Sequence, residues 1–185
     1  LEGSSASHYA RALMRAVGAR GWRGVVVHFR GCSGEPNRLP RAYHSGDSAE
    51  IDWILQRMRS LFPQRTLYAA GVSLGGNALL KWAGEQEDSA RDVVQAISAV
   101  CAPLDLTAAG QALQQGFSLV YAKRFLVTLK ANSRAKLARF PNVVVVPVCR
   151  SCTNTSSWAL VSPATRLLAS DVNATQRPSA LMDLP

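Results

Sequence analysis

The run Gly71-Val72-Ser73-Leu74-Gly75-Gly76 is where residue types and spacing in this 185-residue sequence point most directly to chemistry. It fits Gly-x-Ser-x-Gly, in which small neighbours let a serine occupy a tight turn and present Oγ to an acyl carbon. The pattern alone yields roughly 0.05–0.1 chance matches in a chain of this length, so its context must carry the reading. A nucleophile elbow needs a buried strand running straight into a helix. The N–H of Leu74 would then face a developing oxyanion, with the positive end of the helix behind it. The alternatives are a functionless glycine-rich turn or a phosphate cradle. Neither Gly-x-x-x-x-Gly-Lys-Ser/Thr nor Gly-x-Gly-x-x-Gly is present, so the elbow is the expectation.

Other groupings point to less. Cys149 and Cys152 have the spacing of a redox or zinc pair, but there is no second Cys-x-x-Cys, and His8, His28 and His44 lie more than a hundred residues upstream. With Cys32 and Cys101 they read as reduced thiols, and neither a metal nor a cofactor is expected. The formal charge of +9 suggests an anionic partner, yet two thirds of the excess sits in Leu106–Phe140, which has six basic residues and no acidic one. The charge is local. It forms a solvated face, a site of peripheral contact with anionic lipid or, if the chain is a non-catalytic binding module, a surface over 106–140 for anionic lipid or nucleic acid, with no specific nucleic-acid recognition expected.

The elements that must position Ser73 follow from periodicity. Ser4–Gly18 reads as an amphipathic helix, and Gly24–Phe29, with Val25, Val26 and Val27, as a strand buried on both faces. Breakers fill Arg30–Pro40. A second helix follows, capped by Ser45 or Ser48, with Asp47 and Glu50 at its positive end and Ile51, Ile54, Leu55 and Met58 in one stripe. Thr66–Val72 is a strand, Gly75–Gly84 a helix and Val93–Cys101 a strand closed by Ala102-Pro103. That order predicts an α/β fold, a mostly parallel sheet with helices on both faces. Thr107 to about Phe140 is helical in pattern; Val143–Val148 could form a strand, and the rest of Pro141–Pro185 has no clear period.

A resemblance then becomes specific. Leu1-Glu2-Gly3-Ser4-Ser5, Ser7-His8-Tyr9, Gly21-Trp22, His28-Phe29-Arg30-Gly31-Cys32-Ser33-Gly34-Glu35-Pro36-Asn37 and Tyr43-His44-Ser45-Gly46 occur in order. With Gly71–Asn77 and Ala102-Pro103-Leu104-Asp105-Leu106 they resemble the YheT-like branch of the α/β-hydrolases over residues 1–140. The resemblance implies a serine esterase acting on short- or medium-chain acyl esters through a Ser-Asp-His triad. Ser73 would be the nucleophile, and the amides of Leu74 and Leu1 the oxyanion hole. It also makes 106–140 a lid-like segment whose Phe117, Tyr121, Phe125 and Phe140 would line an acyl pocket.

Two departures limit the carry-over. The family's opening strands and the His-Gly before the Leu-Glu-Gly-Ser run do not occur here, and no histidine follows Ser73. Asp105, Asp171 and Asp183 are available carboxylates but none is assigned as the triad acid, so the triad Asp and His are expected to be absent from this chain. His28 and His44 read as structural histidines rather than substitute bases, and Arg30–Asn37 as a turn shaped by glycine and proline. The expectation is a truncated hydrolase domain over 1–140, inactive for lack of its base. Residues 141–185 would be an atypical tail, disordered or read out of frame. No run reaches the ~20 apolar residues of a membrane span, and a cytoplasmic location is expected.

Overall fold

The computed structural model describes residues 2–141, which group into two compact units: residues up to Tyr43 with those from Gly110 onward, and His44–Ala109. Leu1, Val143–Val148, Cys149, Cys152, Asp171, Asp183 and the expected tail lie outside the described residues, apart from Pro141.

The His44–Ala109 unit holds the elements around Ser73. Helix α2 (Ser48–Leu61) leads to strand β1 (Tyr68–Val72), helix α3 (Leu74–Gln86), a 3-10 turn (Glu87–Ser89), the short helix α4 (Ala90–Val93) and strand β2 (Ala96–Val100). β1 and β2 are parallel, in a register that sets Val72 opposite Val100. This is the strand, helix, strand order that parallel pairing requires. α3 packs across both strands and against α2. Between them Leu55, Leu79, Trp82, Val93 and Val94 form a buried cluster, joined by Ile51, Leu67, Ala69 and Ile97.

Polar groups close this core. Trp82 Nε1–H donates to Asp52 Oδ1 at 3.0 Å, and Arg59 Nε–H to the Val93 carbonyl at 3.1 Å. Lys81 Nζ donates to the Gly46 carbonyl (3.1 Å) and to Ser48 Oγ (3.0 Å), and it pairs with Glu85 at 2.8 Å. Partial burial works against the charge on Glu85, but hydrogen bonds from Lys81 and Ser48 prevail and hold its carboxyl below the usual range. The helix cap differs from expectation: Asp47 occupies the cap position without a side-chain cap bond, and the Ser48 hydroxyl is turned to Lys81 instead.

The other unit contains helix α1 (His8–Ala19) and the long helix α6 (Ser118–Arg139), with helix α5 (Leu106–Ala112) spanning the division. The continuous helical pattern read over 107–140 is broken between α5 and α6, where Gly116 adopts φ of 53°. The strand expected at Gly24–Phe29 does not form among the described residues, and Val25 and Val27 are about half exposed (53% and 50%). An apolar run becomes a strand only where another strand offers hydrogen bonds, and among the described residues none pairs with it. Glu2 ties this unit together, accepting from Tyr43 Oη at 2.7 Å and from Asn132 Nδ2. Among the described residues no helix is long and apolar enough to cross a membrane.

Candidate active site

Ser73 stands where β1 ends and α3 begins, with φ 54° and ψ −120°. Positive φ is costly for a serine, and such residues persist where the surroundings over-determine them. Gly71 makes the turn possible: a Cβ there would lie 2.4 Å from the Gly75 carbonyl oxygen and 2.7 Å from Gly76 Cα. Gly76 is equally confined, since its Cβ would approach the Ala102 Cβ to 2.9 Å. The Ser73 N–H donates to the Val100 carbonyl at 2.8 Å, and the Ser73 carbonyl accepts the Asn77 N–H at 3.1 Å. Leu74 is the first residue of α3, so its N–H has no acceptor inside the helix.

The turn after β2 completes this edge. Cys101 also has positive φ, 50°, and is exposed. Asn77 Nδ2–H donates to the Pro103 carbonyl at 2.9 Å. Sequence reasoning closes β2 at Ala102-Pro103 and gives neither Asn77 nor Cys101 a role. The available signal is an asparagine, a modest helix former, one turn into a helix.

The described histidines differ in their surroundings. His28 Nε2 accepts the Ser5 N–H at 2.8 Å. His44 is 4% exposed; its Nδ1 lies 2.8 Å from the Ser45 carbonyl and its Nε2 lies 3.7 Å from Asp47 Oδ1. His8 is exposed on α1. Within the unit that holds Ser73, His44 makes no hydrogen bond to Ser73 Oγ. The Asp105 carboxylate accepts the N–H groups of Thr107 (2.8 Å) and Ala108 (2.9 Å), a helix-capping role at α5. No three His, Cys, Asp or Glu side chains among the described residues come together as a metal site would require.

The two described thiols are unlike. Burial, then the nearby Glu2 carboxylate, pushes the Cys32 thiol up to about 11. N-Ethylmaleimide at pH 7.5 should modify Cys101 at least about 100-fold faster than Cys32, read peptide by peptide in a mass spectrometer. Because folding keeps the Cys32 proton on, its contribution to stability is full below the ordinary thiol value of 9.0 and is lost as pH rises to about 11. Urea midpoints at pH 8.5 and 11, in the parent and in Cys32→Ala, check that sign.

A strand running into a helix through a serine held at positive φ, beside a second parallel strand, defines the α/β-hydrolase class. The chain belongs to that family: a family model described as "alpha/beta hydrolase fold" matches residues 1–177. Within it the chain is YheT-like. It is 43% identical over 146 residues, 79% of this chain and 42% of the relative, to YheT of Escherichia coli strain K12, whose name assigns it provisionally to the esterases. Over 85 residues, 46% of this chain and 21% of the relative, it is 33% identical to Phospholipase ABHD3 of Homo sapiens. Over 107 residues, 57% of this chain and 23% of the relative, it is 29% identical to Monoacylglycerol lipase of Saccharomyces cerevisiae. The chain thus spans less than half the length of each of these relatives. No solved structure matches it significantly.

Proposed function

We propose that Ser73 is the nucleophile of a serine esterase that cleaves short- or medium-chain carboxylic esters through an acyl-enzyme. The observation that carries this reading is the strained Ser73 turn, with the helix-initial N–H of Leu74 beside it. In the first step Ser73 Oγ bonds to the ester carbon, its proton passes to a base, and the alcohol leaves with a proton. The amide of Leu74 holds the oxyanion between those events. Water then releases the acid and restores Ser73. Relatives named as esterase and lipase agree with the class.

No histidine follows Ser73 in the sequence, His28 Nε2 accepts the Ser5 N–H, and His44 faces the Ser45 carbonyl and the Asp47 carboxylate. Without a base a serine hydroxyl is a weak nucleophile, so the chain by itself is a poor or silent catalyst. A fluorophosphonate probe tests both halves of the proposal. Applied to this chain, and to a fusion that adds the C-terminal part of YheT, it should label only the fusion at an appreciable rate, and at Ser73.

A second reading concerns α6. Lys123, Arg124, Lys130 and Arg134 are exposed there together with Tyr121 and Val127, a mix suited to peripheral contact with anionic lipid. The chain should co-sediment with phosphatidylserine vesicles and be released on raising salt from about 0.05 to 0.5 M. Binding that ignores salt, or no binding, removes this reading.

A further inference from the structure

We infer that Asn77 is a positioning residue, which fastens the turn after β2 onto the first turn of α3 and so holds Ser73 in its strained conformation. This rests on the reading of Ser73 as nucleophile. Three consecutive attachments carry it. The Val100 carbonyl accepts the Ser73 N–H at 2.8 Å, Ala102 packs where a Gly76 Cβ would be only 2.9 Å away, and the Pro103 carbonyl accepts Asn77 Nδ2–H at 2.9 Å. Cys101 lies between them, itself at positive φ.

Two strained residues, Ser73 and Cys101, therefore follow the register pair Val72 and Val100 at one strand edge. Neither would keep its conformation without being over-determined. On one side the constraint is main chain and methyl packing, which follow from the strand pairing. On the other it is a single side chain. Asn77 is suited to this by its donor alone: its Oδ1 is buried and has no hydrogen-bond partner among the described residues. Proline at 103 adds to the effect, because the residue before a proline is confined to extended conformations, which leaves Ala102 little freedom once Pro103 is held.

The test uses the full 185-residue chain and the variants Asn77→Ala and Asn77→Asp. Alanine deletes the donor, and the nearly isosteric aspartate replaces it with a carboxylate that the Pro103 carbonyl repels, so both remove the bond, aspartate at the greater cost. Amide hydrogen exchange resolved to single residues should show the Ser73 N–H exchanging at least about tenfold faster in both variants. The Ala69 and Gly71 amides, which face β2 within β1, should stay at the parent rate, which a general loss of stability would not allow. An unchanged Ser73 amide, or a uniform rise along β1, overturns the inference. In the YheT fusion, both variants should slow the maximal rate of fluorophosphonate labelling at Ser73 at least about tenfold, with the half-saturating probe concentration unchanged. A fusion that takes no label at Ser73 defeats the nucleophile reading, while hydrogen exchange in the unfused chain still decides the role of Asn77.

Discussion

Alanine in place of Trp82 is expected to cost about 3–5 kcal/mol and to leave the His44–Ala109 unit largely unfolded at 37 °C. Trp82 has 0% exposure and sits among Leu55, Leu79, Val93 and Val94, so truncating it opens a cavity that α2, α3 and the strands cannot all close. The Asp52 carboxylate, which accepts the indole N–H at 3.0 Å, loses its partner as well. Trp82→Phe separates the two contributions: it keeps most of the volume and should cost about 1–2 kcal/mol. Urea unfolding followed by far-ultraviolet circular dichroism gives both values. A loss below about 1 kcal/mol for the alanine variant would mean that this cluster is not the core of the unit. Ser73 would be affected indirectly, since α3 carries both Trp82 and the start of the Ser73 turn.

The second large effect is on chemistry. In the YheT fusion, Ser73→Ala should abolish fluorophosphonate labelling and lower kcat on a p-nitrophenyl butyrate substrate by at least about 10⁴-fold, because no other group can form the acyl-enzyme. Labelling that survives the substitution places the nucleophile elsewhere. The unfused chain should label at least about 10³-fold more slowly than the fusion. Equal rates would show that the 185 residues already contain a working base, and would return attention to His28 and His44. The comparison depends on the fold being intact, so Ser73→Ala should leave the urea midpoint unchanged or raise it. Alanine tolerates positive φ no better than serine, and any gain would come only from loss of the polar hydroxyl.

How far the residues alone reach differs between the two units. α2, β1, α3 and β2 are legible in the sequence to within about three residues at their ends, because each has a strong local period and glycine, proline or charge near its limits. The Ser73 turn is legible for a related reason: Gly71 is demanded by Gly75 and Gly76, so its steric logic lies in the run itself, whereas Gly76 is confined most closely by Ala102, which only packing brings there. Gly24–Phe29 misleads because three adjacent valines report apolarity and not partnership. The long pattern after Thr107 misleads because a permissive Gly116 can break a helix that its neighbours favour.

The order of elements, the serine at a forced turn, the resemblance to YheT-like hydrolases and the lack of any histidine beyond Ser73 can all be read from residue type and spacing along the chain. Packing alone settles that Val100 receives the Ser73 amide, that Asn77 reaches Pro103 across 26 positions, and that His28 is occupied by Ser5 from 23 positions away. Local periodicity reports which face of a segment is apolar. A hydrogen bond between distant segments depends instead on strand register and close approach, which exist only once the chain has packed.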